Sequence, residues 1–107
     1  MALTSKQRQY LKGLAHALEP VVRVGQRGVT PAVVGEASRS LEAHELIKVR
    51  IDADDPGGRR TLAEGLAEAT EAEIAGMIGK LAILYRPRSE KPRIKLPAND
   101  PPASASG

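Results

Sequence analysis

The sequence predicts an α/β (α+β) domain in which three helices and four strands follow one another in the order α-β-α-β-α-β-β. Two observations predict this class. In three segments, apolar residues recur at helical spacing directly after residues that favour a helix N-terminus. Four short runs rich in aliphatic residues, bounded by glycine, proline or acidic turns, have the length and composition of strands.

The first helix is predicted to begin at Thr4. This threonine, with Gln7 three residues later, has the pattern of a capping box, and Pro20 stops the helix at its other end. The residues expected to face the core are spaced by three or four: Leu11, Leu14, Ala15 and Leu18.

The second helix is predicted to begin at Thr30, followed by Pro31 at the first helical position, and to run to about Ala43. The third is predicted to begin at Thr61, where a second capping box ends at Glu64, so residues 54–58 are interpreted as a turn. The expected inward residues are Val33, Val34, Ala37 and Leu41 in the second helix, and Leu62, Leu66 and Ala69 in the third.

The strands are predicted at residues 21–24, 46–51, 74–78 and 81–85, the last two joined as a tight hairpin at Gly79 and Lys80. Apolar and basic residues alternate strictly in the second strand. Lys48 and Arg50 therefore share the face opposite to its isoleucines and valine, and we expect them to point outward. Arg23 is expected to point outward from the first strand.

The chain of 107 residues is long enough for one domain, which we place at residues 1–97. Residues 98–107 are mostly alanine, proline, serine and glycine, and we predict them to be a disordered tail.

The net charge of +3 conceals an uneven distribution. Residues 1–50 carry +4, residues 51–79 carry −5 and residues 80–95 carry +5. Folding could bring the two basic segments together into one patch that suits a polyanion. The alternative is a solvated surface that has no partner.

Several function classes are excluded or disfavoured by composition. Without cysteine there is no disulfide, zinc ribbon or thiol catalysis. The two histidines lie in no catalytic motif, and His44 with Glu45 is interpreted as a structural pair before a strand. Three acids lack the EF-hand spacing and are interpreted as solvated turn residues: Asp52, Asp54 and Asp55. We therefore expect no enzyme activity, no cofactor, no metal and no small-molecule substrate.

The longest apolar runs are far shorter than a membrane span, and the first residues lack the apolar core of a signal peptide. We expect a cytoplasmic protein without a membrane partner. Nothing in the sequence indicates obligate oligomerisation, so a monomer is expected.

The segment Gly25, Gln26, Arg27 and Gly28 is the most informative motif. It lies between a predicted strand and a predicted helix, where glycines let the backbone approach a ligand and the helix N-terminus favours anions. RNA-binding KH domains use a GxxG loop in this way to clamp the nucleic-acid backbone. A plain tight turn is the alternative interpretation.

Other basic residues could extend such a surface: Arg8, Lys12 and His16 on the first helix, Arg23 on the first strand, and Lys48 and Arg50 on the second. Tyr10 and Tyr85 are the only aromatic residues, which disfavours modules that stack bases on a sheet. We therefore expect recognition of phosphates and RNA shape. A different possibility is a protein–protein adaptor whose acidic third helix, with Glu64, Glu68 and Glu71, docks a basic protein.

Four stretches together resemble a known family. Residues 3–16, 20–30, 44–50 and 78–87 are similar, in order and spacing, to the bacterial YhbY proteins, which are single CRM (chloroplast RNA splicing and ribosome maturation) domains. The resemblance implies a two-layer sandwich with a four-stranded mixed sheet, similar to the C-terminal domain of bacterial translation initiation factor three.

The resemblance also implies RNA binding and association with precursors of the large ribosomal subunit. In the adaptor alternative, the basic protein docked by the acidic third helix would then be a ribosomal protein. Plant relatives carry the domain within intron-splicing factors. Three groups of residues match positions that the family uses for RNA: the loop from Gly25 to Gly28, the helix residues Lys6, Arg8 and Lys12, and the strand residues Lys48 and Arg50.

Overall fold

The structure is a computed structural model that describes residues 2–97, so the predicted disordered tail lies outside the described residues. Seven elements follow in the predicted order, which confirms the α+β class. They are α1 (Ser5–Ala15), β1 (Pro20–Val24), α2 (Pro31–His44), β2 (Leu46–Ile51), α3 (Pro56–Thr70), β3 (Glu73–Ile78) and β4 (Leu81–Tyr85).

Threonine caps begin the first two helices, as predicted. The Thr4 hydroxyl accepts a hydrogen bond from the Gln7 amide, and the Gln7 side chain accepts one from the Thr4 amide, both at 3.1 Å. This is a complete capping box. The Thr30 hydroxyl accepts from the Val33 amide at 3.2 Å, and Pro31 takes the first helical position.

The cap of helix α3 lies six residues earlier than the sequence analysis predicts. Asp55 is its cap, and the carboxylate accepts a hydrogen bond from the Gly58 amide at 2.7 Å. Thr61 lies inside the helix, where its hydroxyl donates to the Gly57 carbonyl at 3.0 Å. The prediction of a turn over residues 54–58 is wrong because an Asp–Pro pair starts the helix, and the following two glycines resemble a turn in sequence.

The sheet is mixed and four-stranded, in the order β1-β2-β4-β3. Strands β1 and β2 are parallel and are joined by α2, whereas the pairs β2–β4 and β3–β4 are antiparallel. The tight hairpin between β3 and β4 turns at Gly79, which has φ +57°. The predicted mixed four-stranded sheet is therefore confirmed.

The two faces of the sheet are covered differently. Ile47, Val49 and Ile51 point toward α2 and α3 and form the larger core. On the other face Ile83 and Tyr85 pack with Leu3, Leu11 and Ala15 under α1, in a second core. Helix α1 thus adds a partial third layer to the two-layer arrangement that the resemblance implies.

Because α1 covers only part of this face, two residues of its predicted apolar stripe are exposed. Leu11 and Ala15 are fully buried, but Leu14 is 41% exposed, and Leu18, which lies beyond the end of the helix, is 37% exposed. The prediction that Leu14 and Leu18 face the core is wrong. The same holds for Ala69 of α3, which is exposed.

A buried carboxylate fixes the basic segment that follows β4. Glu45 adopts φ +64° between α2 and β2, and its carboxylate accepts hydrogen bonds from the amides of Arg88, Arg93 and Ile94 at 2.7–2.8 Å. We call residues 87–96 the strap. Burial of the Glu45 carboxyl opposes ionisation, but these donors and the Arg88 charge outweigh it, so the pKa of Glu45 lies below its ordinary value.

Candidate nucleic-acid interface

The glycine segment forms a closed turn at the end of β1. The Gly28 amide donates to the Gly25 carbonyl at 3.0 Å. Gly28 has φ +76°, which L side chains rarely adopt, whereas a Cβ added to Gly25 would meet no atom within 4 Å. The turn therefore requires Gly28, and the fold places no such demand on Gly25.

The side chains of Gln26 and Arg27 are exposed at the tip of this loop. The helix that follows offers fewer free donors than the sequence suggests. Pro31 has no amide hydrogen, and Thr30 takes the Val33 amide, so the cap already uses part of the first turn. Binding of an anion here would therefore depend more on the loop and the nearby arginines than on the N-terminus of α2.

Two arginines adjacent to the loop share one carboxylate. Arg23 of β1 and Arg50 of β2 both donate from Nε to Asp52, the latter at 3.0 Å. The Arg23 hydrogen bond, with a second from Arg50, holds the pKa of Asp52 below its usual range. The Arg23 side chain is 72% exposed and the Arg50 side chain 49%, and their terminal nitrogens make no hydrogen bond or ion pair within residues 2–97.

Asp52 therefore has a different role from the solvated turn acid that the sequence suggests, because it orients two arginines. Arg23, Gly25, Gln26 and Lys80 line a cleft of about 430 Å³ with Asp52 and Asp54. The Lys80 ammonium lies 3.6 Å from Asp54. Lys80 was not among the candidate site residues, because only the pairing of the β3–β4 hairpin with β2 brings it there.

Lys48 does not belong to the exposed basic surface. Its residue is only 9% exposed, although alternation places it on the same side of β2 as Arg50. This side is partly covered by α1, so the prediction that Lys48 points outward is wrong. Arg50 lies two residues further along β2, on the same side, and remains exposed.

The helix basics lie apart from the loop. Lys6, Arg8 and Lys12 are exposed on α1, and Arg8 donates to the Leu3 carbonyl at 2.9 Å. The stem of Lys12 packs on β3, since a Cβ at Gly76 would lie 2.8 Å from its Cδ atom. Strands β3 and β1 are at opposite edges of the sheet, so about 14 Å of sheet separates Lys12 from the loop side.

The second basic segment divides into structural and exposed cations. Arg86 donates to Ser38 and to the Thr70 carbonyl, and Arg88 donates to the Glu42 carbonyl at 2.9 Å. The exposed cations of the strap are Lys91, Arg93 and Lys95. Lys80 is the member of this segment that lies beside the loop, whereas the strap lies near the start of β2. The fold therefore does not merge the two basic segments into one compact patch.

Among residues 2–97 no group of His, Asp or Glu side chains could hold a metal ion. In the same range, no helix has the length and apolar character needed to cross a membrane.

Fold and site together define a small α+β domain with a glycine loop and exposed arginines at one edge of a mixed sheet. The family model for the CRS1/YhbY (CRM) domain matches residues 3–86. The chain belongs to this family, as the sequence resemblance indicates.

Known proteins of similar sequence and structure agree with this assignment. A Haemophilus influenzae protein named "RNA-binding protein" is 42% identical over 95 residues, covering 89% of this chain and 95% of that protein. The Bacillus subtilis "Probable RNA-binding protein YqeI" is 34% identical, covering 89% and 99%. The solution structure of a Staphylococcus aureus protein described as a candidate RNA-binding protein has a TM-score of 0.80 and 36% identity, covering 90% and 100%. These names describe binding and not catalysis, in agreement with the expectation that the chain is not an enzyme.

Proposed function

We propose that this protein binds RNA through the surface formed by Gly25–Gly28, Arg23 and Arg50, which we call the loop surface. The observation that carries the proposal is the exposed glycine turn beside two arginines that Asp52 orients. The names of the relatives support RNA as the ligand. The physiological RNA that we propose is the precursor of the large-subunit ribosomal RNA, bound by a cytoplasmic monomer during subunit assembly.

The loop surface favours contact with the RNA backbone. The terminal guanidinium nitrogens of Arg23 and Arg50 suit phosphate oxygens, and Arg27 adds a further exposed cation at the loop tip. The sheet offers no aromatic platform, because Tyr85 is buried against α1 and Tyr10 lies on the helix. Binding dominated by phosphate contacts depends steeply on salt.

The first experiment measures the affinity for fragments of precursor large-subunit RNA between low and high salt. Arg27→Ala should lower the slope of log K against log salt by about one, because one phosphate contact is lost. Arg60→Ala is the matched control, since Arg60 is an exposed cation on α3 that pairs with Glu64. Affinity that is indifferent to salt, or equal slopes for the two variants, would contradict the proposed surface.

The assembly role needs a separate experiment. Crosslinking of bound RNA in cells, followed by mapping, should recover precursor large-subunit RNA. Sedimentation after RNase treatment tests the adaptor alternative, because Glu64, Glu68 and Glu71 are exposed on α3. Comigration with ribosomal proteins that survives RNase would favour the adaptor, whereas its loss would favour RNA binding.

A further inference from the structure

An apolar depression lies at the opposite end of β1 from the glycine loop. It has a volume of about 360 Å³, and its apolar lining includes Leu14, Leu18, Val21, Leu46 and Ile94. Five large apolar side chains of residues 2–97 are prominently exposed, and three of them meet here, with Leu14 41%, Leu18 37% and Val21 45% exposed. Exposed apolar side chains that converge on one concave surface indicate a binding site.

Three polar side chains stand around this apolar lining. They are Glu19, His44 and Arg93, and all three residues are exposed. Within residues 2–97 none of these side chains takes part in a hydrogen bond or an ion pair. The depression therefore combines an apolar floor with an unused carboxylate, imidazole and guanidinium group, which can accept or donate hydrogen bonds to a planar polar ligand.

The depression continues into the loop surface. Val21 also borders a shallow cleft with Arg23 and Arg50, and Arg23 in turn lines the cleft that contains Gly25 and Gln26. Val21 and Gly25 are four residues apart, so the extended chain places them about 13 Å from each other. A single strand of RNA held at the loop can follow β1 along this line and reach the depression.

The charged residues beside the depression indicate which kind of ligand it binds. The strap borders the depression through Arg93 and Ile94. It presents Lys91, Arg93 and Lys95 to solvent, against Glu90 of the strap and Glu19 of the rim. Exposed cations at this border favour a polyanion over a neutral apolar peptide. RNA supplies both a polyanionic backbone and flat bases that pack on apolar side chains.

We propose that this depression binds an unpaired nucleobase of the RNA whose backbone lies on the loop surface. The base face packs on Leu14, Leu18 and Val21, and its edge forms hydrogen bonds with the polar side chains at the rim. This inference rests on the proposed function and adds base recognition to it. It supplies base contacts to a domain that has no aromatic platform on its sheet.

The test is methyl NMR of the full chain titrated with two probes of equal length: a 12-nucleotide single-stranded RNA of mixed sequence and the corresponding abasic ribose-phosphate chain. A stacked base produces ring-current shifts, which an abasic chain cannot. We expect the methyl signals of Leu14, Leu18, Val21 and Ile94 to shift only with the base-bearing RNA. Ile78, 53% exposed at the β3–β4 hairpin, is the internal control and should not shift.

A matched pair of variants adds an affinity measurement. Leu18→Asn should weaken binding of the base-bearing RNA by about tenfold, in line with the loss of one base contact, and leave the abasic chain unaffected. Ile78→Asn should change neither affinity. Both side chains are exposed, so both variants should fold, which the amide spectrum reports.

The outcomes separate this inference from the proposed function. Amide shifts at Gly25 and Gly28 without methyl shifts at the depression would overturn the base site and leave RNA binding at the loop intact. Equal methyl shifts with both probes would also overturn it. Methyl shifts that follow protein concentration alone, or that appear only with RNA-free ribosomal proteins, would assign the surface to a second copy or a protein partner. No response anywhere to RNA would contradict the proposed function itself.

Discussion

At the scale of single residues, the two glycines of the loop have different reasons to be there. The backbone conformation requires glycine at position 28, because a residue with an L side chain would be strained at φ +76°. Gly25 has open space around its Cα atom and an ordinary backbone conformation. A requirement for glycine at position 25 would therefore come from a bound ligand and not from the fold.

Alanine substitutions separate these two requirements. Gly28→Ala should lower the free energy of unfolding by about 1 kcal/mol, whereas Gly25→Ala should change it by less than about 0.5 kcal/mol. Urea denaturation measures both. Gly25→Ala should nevertheless weaken RNA binding, because a methyl group would hold the phosphate backbone away from the loop. Equal destabilisation by the two substitutions would show that Gly25 is also structural.

The two basic residues of β2 give a second prediction at this scale. Arg50→Ala should weaken RNA binding and lower its salt slope by about one, because Arg50 is exposed beside the loop. Lys48→Met keeps an apolar stem of similar length at a position that is 9% exposed, and should leave the salt slope unchanged. Filter binding across salt concentrations compares them. A lower slope for Lys48→Met would place Lys48 in the interface.

At the scale of elements, local chemistry predicts most of the boundaries. The capping residues Thr4 and Thr30 begin α1 and α2, and the alternating pattern of residues 46–51 coincides with β2. The start of α3 differs from the prediction because Asp55, interpreted from the sequence as a turn residue, caps the helix ahead of Thr61. Pro56 favours the Asp55 cap, and the glycines that follow are tolerated since the helix packs against the core further on.

The competing caps can be compared directly. Asp55→Ala should lower the free energy of unfolding by about 1 kcal/mol, because the Gly58 amide loses its acceptor. Thr61→Ala should cost less than about 0.5 kcal/mol, because its exposed hydroxyl only bonds a helix carbonyl one turn earlier. Thermal and urea unfolding provide the measurement. The reverse order of costs would place the functional start of the helix at Thr61.

At the scale of the whole molecule, the sequence predicts the spatial arrangement of the charged residues and of the layers less well than it predicts the helices and strands. The basic segments are visible in the sequence, but pairing between distant strands decides that Lys80 lies near the loop and Lys12 near β3. The burial of Lys48 follows from the position of α1, which no local pattern specifies. The same long-range packing gives two residues that are adjacent in sequence different positions. His44 lies at the rim of the depression, whereas Glu45 is buried and holds the strap.

The Glu45 anchor couples the stability of the whole fold to pH. Its folded-state pKa is below the ordinary glutamate value of 4.5, so the carboxylate contributes stability above that value. This contribution is lost as the pH falls through the folded-state pKa, because a protonated carboxyl no longer accepts three amides as strongly. We expect protonation to weaken the attachment of the strap, which packs Ile94 and Leu96 against the core beneath α1.

Glu45→Gln should therefore lower the free energy of unfolding by about 2–3 kcal/mol at pH 7, since a neutral amide replaces the charged acceptor of buried backbone donors. The difference from the unsubstituted protein should shrink as the pH falls through the folded-state pKa of Glu45, because the unsubstituted protein then loses the charged acceptor that the variant already lacks. Glu68→Gln, on the exposed face of α3, is the control and should leave the free energy of unfolding unchanged across the pH range. A pH-independent difference for Glu45→Gln would mean that packing, and not charge, holds the strap.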